Sequence, residues 1–413
     1  MKKIITILLG VAALLLSGCA PASSAGTVDL MADIRPRQIA AEQAAADTTA
    51  FALKLLETVY DGGNTVVSPL SAYIALSMVA NGAAGGTQKE FESVLGAPAE
   101  ELNAGCKAFV EALNKSSDGL TLKTANGIWY NTAGDFKADQ GFLQTNADYY
   151  SAAAVASDFS RQETVDDINN YISDNTNGLI QNMVDQLEPN DVMVLVNTLY
   201  FNGKWASPFD PVFTQSEAFV PADGKNVRIP TMCQIYDEAR CFETEDARGI
   251  LLPYVSDRFA YVALLPSGGV ADYLAALTPE SFKGLIASAA DRRVELHIPK
   301  YTASISKALN EPLRQMGLQS AFDPLKADFS ALGTAKNNIF IDNVLQNAVF
   351  KLDEQGTEAA AATKVELRSG SAPAEKDKPV VLRLDRPFIY ALMDMQTGAP
   401  LFLGVLDNPE LSD

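Results

Sequence analysis

Residues Val192–Phe201 (VMVLVNTLYF) make a near-continuous apolar run as long as a strand, without alternation between a wet and a dry side. A strand that is apolar on both faces must lie in a sheet covered on both sides, so this stretch demands a body large enough to enclose one. Similar runs recur at Phe259–Leu265, Ile339–Leu352, Val380–Leu384, Phe388–Met393 and Leu401–Leu406. Helical spacing is concentrated upstream. Asp47 or Thr48 can cap a helix whose face carries Phe51, Leu55, Leu56 and Val59, and a second helix is expected over Pro69–Ala83, with proline in its first turn. Further helices are expected over 87–95, 100–114, 164–175 and 306–317. Helices gather in the first half and strands in the second, the order of an α+β domain rather than of alternating βαβ units. No internal repeat or break in composition divides the chain after residue 47, so one large domain, 47–413, is expected.

The N-terminus has a different character. Lys2 and Lys3 precede the apolar run Ile4–Leu16, which leads into Leu16-Ser17-Gly18-Cys19. The run is shorter than the roughly 20 residues that span a bilayer and fits a secretory signal over 1–18. The four residues ending in Cys19 resemble a bacterial lipobox, which implies a lipid on Cys19 and export to the cell envelope, at the surface or the periplasmic side. The alternative is an uncleaved N-terminal anchor. Residues 19–46 are small, polar and alanine-rich and read as a flexible tether. Loss of residues 1–18 removes two lysines and no acids, taking the formal charge from −19 to −21. A chain this acidic has no basic face with which to displace counterions from phosphate, so nucleic acid is excluded as a partner.

Catalytic chemistry finds little to stand on. The single histidine, His297, rules out histidine-cluster metal sites. It lies in VELHIPKY, an alternating strand pattern, and is read as a hydrogen-bonded sheet histidine. Ser304-Ile305-Ser306-Lys307 and Ser173-Asp174-Asn175 match two elements of penicillin-binding enzymes, but in the wrong order and with no KTG. Both are read as helix caps or polar helix faces. GxSxG, GxxxxGK[ST], GxGxxG and HExxH are all absent. Beyond Cys19, the cysteines Cys106, Cys233 and Cys241 are odd in number and lack CxxC spacing; they are read as buried thiols, with a Cys233–Cys241 bridge left open. No enzyme, cofactor or metal is indicated.

The stretch with a mechanism in it follows the strand that ends near Leu352. Asp353–Thr363 (DEQGTEAAAAT) runs into KVELRSGSAPAEKDKP, a polar stretch of loop composition longer than compact domains usually carry without a purpose. From Thr357, every second residue is Thr357, Ala359, Ala361, Thr363, Val365, Leu367 and Ser369, all uncharged. The opposite parity holds Glu358, Ala360, Ala362, Lys364, Glu366 and Arg368. One uncharged and one charged face is the pattern of a strand with a buried and a wet side. Small residues beside Gly356 would let such a strand turn in and wedge between strands already present. A flexible alanine-rich loop and a helix are the alternatives, since the segment is also rich in helix formers.

Taken together, the motifs resemble the serpin family from about residue 47 to the C-terminus. Gly356-Thr357-Glu358-Ala359-Ala360-Ala361-Ala362-Thr363 is similar to the hinge of inhibitory serpins, and Asn197–Trp205 (NTLYFNGKW) to their NxxYFxGxW signature. Ser68-Pro69-Leu70-Ser71 with AxSMxxxGAxGxT over Ala75–Thr87, Asp385-Arg386-Pro387-Phe388 and Leu401-Phe402-Leu403-Gly404 complete the likeness. The resemblance implies three β-sheets, about eight or nine helices and an exposed reactive-centre loop over about 354–378. It implies a monomeric suicide inhibitor: a serine protease cuts the loop, forms an acyl-enzyme, and is trapped covalently when the loop inserts as a new strand. Ser68, Asn197 and Gln346 would lie beneath the opening sheet, Gln346 standing where many serpins carry histidine. Fourteen residues on from Gly356, the reactive bond would be Gly370–Ser371, suited to elastase-like or subtilisin-like targets. The alternative is Arg368–Ser369, suited to a trypsin-like one. A non-inhibitory serpin acting as a binding or carrier protein is the competing function.

Overall fold

The computed structural model describes residues 27–39, 47–113, 119–178, 180–181, 183–189, 191–357 and 378–409. Two large sheets carry the body. The first runs in the spatial order β1 (Val28–Asp29), β5 (Ala153–Ser157), β3 (Leu120–Asn131), β6 (Met193–Lys204), β15 (Gly356–Thr357), β14 (Asn343–Leu352) and β12 (Tyr301–Ala308). The second runs β16 (Val380–Arg383), β11 (Ala290–Pro299), β8 (Val227–Glu243), β9 (Ala247–Pro253), β10 (Phe259–Pro266), β17 (Phe388–Asp394), β18 (Ala399–Leu406) and β2 (Thr65–Val67). In that sheet β7 (Gln215–Phe219) also pairs with β8. A small third sheet joins β4 (Lys137–Ala138) to β13 (Gly333–Thr334).

Nine α-helices are present among the described residues. The longer ones are α1 (Thr49–Val59), α2 (Pro69–Ala80), α3 (Gly85–Leu95), α4 (Ala99–Leu113), α5 (Gln140–Tyr150) and α6 (Gln162–Asn175). Then come α7 (Val270–Ala276), α8 (Pro279–Ser288) and α9 (Asn310–Met316). The three sheets and nine helices match the α+β body that the resemblance implies. β6 is indeed the inner strand that its apolar run demands: Met193 to Phe201 are all buried, between α2 on one face and α6 on the other. Helix α2 is buried along its whole length, which explains why its sequence shows no polar face.

Several expectations are corrected. The helix expected over 306–317 begins only at Asn310, because Tyr301–Ala308 pairs antiparallel with β14 as strand β12. Ser304 and Lys307 therefore sit in a strand and not at a helix cap. The second helix ends at Ala80 rather than Ala83, and the strand expected from Ile339 starts at Asn343. Cys233 and Cys241 cannot bridge: both lie on β8, eight residues apart at about 3.3 Å per residue, and both are free thiols, as is Cys106.

Residues 27–39, expected as tether, are docked on the body instead. Val28 and Asp29 pair with Ala156 and Val155, adding β1 to the sheet edge. Further on, the Arg37 backbone N–H and Nε donate to the Asp148 carboxylate at 2.6 and 2.7 Å. Burial works against the charge of Asp148, but the hydrogen bonds from Arg37 and Gln144 outweigh it and hold the carboxyl below its ordinary range.

Candidate functional site

The two central strands of the first sheet, β6 and β14, are parallel and directly paired only over Val194–Asn197 and Asn343–Gln346. Beyond that stretch β15 enters between them, with Gly356 and Thr357 opposite Lys204 and Gly203 of β6 and Thr357 opposite Leu352 of β14. The chain doubles back after β14 through Asp353–Gln355, where the Asp353 N–H donates to the Gly356 carbonyl at 3.0 Å. Gly356 and Thr357 are thus already seated in the sheet. The loop expected to be exposed from about residue 354 keeps its first four residues within the body.

Local chemistry explains the seat. Gly356 has φ +154°, and a Cβ there would stand 2.0 Å from the Gly203 carbonyl oxygen, so glycine alone fits. Gly203 clears the way for two rings, since its own Cβ would press on Phe201 and Tyr254. Thr357 is 2% exposed, and its Oγ1 lies 2.6 Å from the buried Tyr254 hydroxyl. Tyr254 stacks on Trp205 with ring centroids 4.6 Å apart. Trp205 in turn holds the turn before the hinge: its Nε1 donates to the Asp353 carbonyl and its backbone N–H to that of Gln355, both at 2.9 Å. Glu354 is pinned by Lys300 at 2.7 Å and accepts from Thr214 Oγ1 at 2.8 Å. Burial alone would raise its pKa, yet these bonds hold it below the usual glutamate range.

Below the slot, the residues expected under the opening sheet come together. Gln346 Oε1 accepts from the Ser68 backbone N–H at 3.1 Å, and Gln346 Nε2 donates to the Ser68 carbonyl at 2.8 Å. The Ser68 hydroxyl donates to the Leu401 carbonyl at 3.0 Å. Asn197, paired with Gln346 across the strands, donates through Nδ2 to Asn126 Oδ1. One atom here lacks a protein partner among the described residues: the buried Asn197 Oδ1.

The remaining expected site residues, Glu358, Ala359, Ala360, Ala361, Ala362, Thr363, Arg368, Ser369, Gly370, Ser371 and Cys19, lie outside the described residues. Sequence reasoning missed Tyr254 and Lys300, neither of which belongs to a recognisable motif. Trp205 stood in a quoted signature without an assigned role. His297 lies in strand β11 as expected. Among the described residues, no group of three or more His, Cys, Asp or Glu is arranged to hold a metal ion.

Chemically, this site is a slot between two strands. Two parallel strands are zipped at one end and held apart at the other by the first two residues of a segment whose next residues alternate in the same parity.

Comparison with known proteins agrees with this geometry. The family model for serpin (serine protease inhibitor) matches residues 46–409. An uncharacterized serpin-like protein of Thermococcus kodakarensis is 31% identical over 357 residues, covering 85% of this chain and 82% of that protein. The crystal structure of tengpin, a thermophilic serpin, in its native state shares 32% identity at a TM-score of 0.86, covering 93% of this chain and 100% of that one. Tengpin in its latent state superimposes less well, at 0.75 with 31% identity over 87% of this chain and 96% of that one. Thyroxine-binding globulin in complex with thyroxine is 27% identical with a TM-score of 0.77, over 88% and 98% of the two chains. With a family match that spans the domain and a shared architecture, this chain belongs to the serpin family.

Proposed function

We propose that the protein inhibits serine proteases by loop insertion, presenting residues 358–377 as bait and completing the first sheet after cleavage. The observation that carries this reading is the seat of Gly356 and Thr357 between β6 and β14; insertion continued from it would carry Thr357, Ala359, Ala361, Thr363, Val365, Leu367 and Ser369 on one uncharged face. Burying an unpaired charge costs several kcal/mol, and this face carries none. About a dozen new ladder hydrogen bonds at ~1 kcal/mol net each amount to roughly 10 kcal/mol, comparable with the ~5–15 kcal/mol stability of an ordinary domain and enough to distort a protease.

The reactive bond in this reading is Gly370–Ser371, flanked by Ser369 and Ala372, and the targets are elastase-like or subtilisin-like enzymes with shallow pockets. The inhibitor acts as a monomer, exported and held to the bacterial cell envelope by lipid on Cys19. Incubation with elastase, subtilisin and trypsin tests it. An SDS-stable complex whose released C-terminal fragment begins at Ser371 is the expected result. A stable trypsin complex with a fragment beginning at Ser369 would move the bond to Arg368. Plain cleavage without complex would favour the reading as a binding or carrier protein, the kind of role that the name of thyroxine-binding globulin gives that structural relative.

A further inference from the structure

The single histidine stands in a cage that its two charge states satisfy differently. His297 lies on β11, buried, with one group facing it from each surrounding strand: Glu217 on β7, Cys233 on β8, Glu295 on its own strand and Arg383 on β16. At Nε2, Glu295 Oε1 is 2.9 Å away and the Cys233 sulfur 3.6 Å. At Nδ1, two incompatible neighbours meet: Glu217 Oε1 at 2.8 Å and the Arg383 Nη1 at 3.0 Å.

An imidazole nitrogen carries either a lone pair or a proton. With Nδ1 bare, it accepts from Arg383 while its lone pair opposes that of Glu217. The proton then sits on Nε2 and is donated to Glu295. With both nitrogens protonated, Nδ1 donates to Glu217, and the imidazolium confronts the guanidinium. The Nε2 contact survives in both states, so titration exchanges one partner only, and that partner belongs to β16.

β16 is the terminal strand of its sheet, paired among the described residues with β11; it buries Leu382 in the core but exposes Val380 and Val381. Arg383 ties it down through His297, through Glu217 at 3.1 Å and, more distantly, through Glu295 at 3.7 Å. When His297 is charged, both carboxylates are shared with the imidazolium, and the guanidinium loses an acceptor while gaining a repulsive neighbour. We infer that protonation of His297 loosens β16, the strand into which the chain runs from residues 358–377, so that acid slackens the downstream attachment of that segment.

Amide hydrogen exchange on the full chain tests this at about pH 8 and about pH 5.5, with rates corrected for intrinsic exchange. In the unsubstituted protein, protection of Val380–Leu384 should fall roughly tenfold at acid pH, the effect of about 1.4 kcal/mol, while β17 keeps its protection. His297→Gln does not titrate and should abolish the difference. Arg383→Gln should show low β16 protection at both values. An unchanged β16 in the unsubstituted protein, an equal loss in β17, or an acid loss that persists in either variant would overturn the inference.

Discussion

Gln346 clasps the backbone of Ser68 from both sides, accepting its N–H at 3.1 Å and donating to its carbonyl at 2.8 Å, with both residues buried. The pair links β14 to the residue preceding α2, so the central strand is anchored to the helix that it must slide past if the sheet opens. Truncation to Ala would leave the buried Ser68 N–H unsatisfied, worth about 1–3 kcal/mol, while the Ser68 carbonyl keeps the Ala72 N–H at 3.1 Å. Gln346→Ala should therefore lower unfolding stability by about 2 kcal/mol. Urea denaturation would show it as a lower midpoint, and an unchanged midpoint would mean that the clasp adds nothing.

The hinge seat is held by one hydroxyl pair and one steric fit, and the two can be separated. Tyr254→Phe removes the partner of Thr357 Oγ1 at a cost of about 1 kcal/mol while keeping the stack on Trp205. Gly356→Ala drives a methyl into the Gly203 carbonyl and cannot be accommodated without expelling β15. Limited proteolysis at Thr357 should accelerate modestly in the first variant and strongly in the second. Equal rates in both would place the hinge outside the sheet from the start.

The lower end of the slot, where β6 and β14 pair directly, carries a partly buried carboxylate. Asp342 precedes β14, and its carboxylate accepts from the Val192 N–H at the foot of β6. Burial is the main cause that pushes its pKa up to about 6; the backbone hydrogen bond opposes that rise and Asp191 adds to it. A carboxyl raised in the folded state favours folding when protonated, so this contribution is present at low pH and is lost as pH rises through about 6. Asp342→Asn should raise the melting temperature at pH 7.5, less so near pH 5, and change it little below about pH 4. Glu354 has the opposite sign: its lowered pKa contributes stability at neutral pH that disappears only as acid protonates it. A pH–stability profile of Asp342→Asn that parallels the unsubstituted protein across pH 5–7.5 would exclude Asp342 as a source of strain.

What the amino-acid sequence made legible and what it hid differ for physical reasons. The inner position of β6 follows from a two-sided apolar run, and the hinge glycine from a segment whose parity changes face after Gly356. Ser304 to Lys307 misled because short polar residues at Ser304 and Ser306 serve a strand surface as readily as a helix end, and only pairing with β14 decides. Tyr254 was invisible for another reason: it meets Thr357 across 103 residues of chain, and a lone buried tyrosine has no local pattern to announce it. Residues 27–39 dock through a two-residue ladder, the Arg37–Asp148 pair and the apolar contacts of Leu30, Met31 and Ile34, a run too short and irregular to leave a periodicity.

Insertion makes a demand on Ala359 that no other function of the loop would make. Thr357 is buried now, and in the proposed mechanism Ala359 follows it into the same face of the sheet. A charge at either position must be desolvated during insertion at a cost of several kcal/mol, a large part of the roughly 10 kcal/mol available. Cleavage itself, which occurs further along the loop, would be untouched. Ala359→Arg should therefore turn the inhibitor into a substrate: the protease cuts at an undiminished rate but leaves no SDS-stable complex. Thr357→Arg should do the same and should also unseat the hinge in the uncut protein. In parallel, the unsubstituted protein should melt at a much higher temperature once cut, since the inserted loop completes the sheet between β6 and β14, whereas cut Ala359→Arg should gain little. If cut and uncut protein melt together, the loop does not insert, and the chain binds its partners by other means.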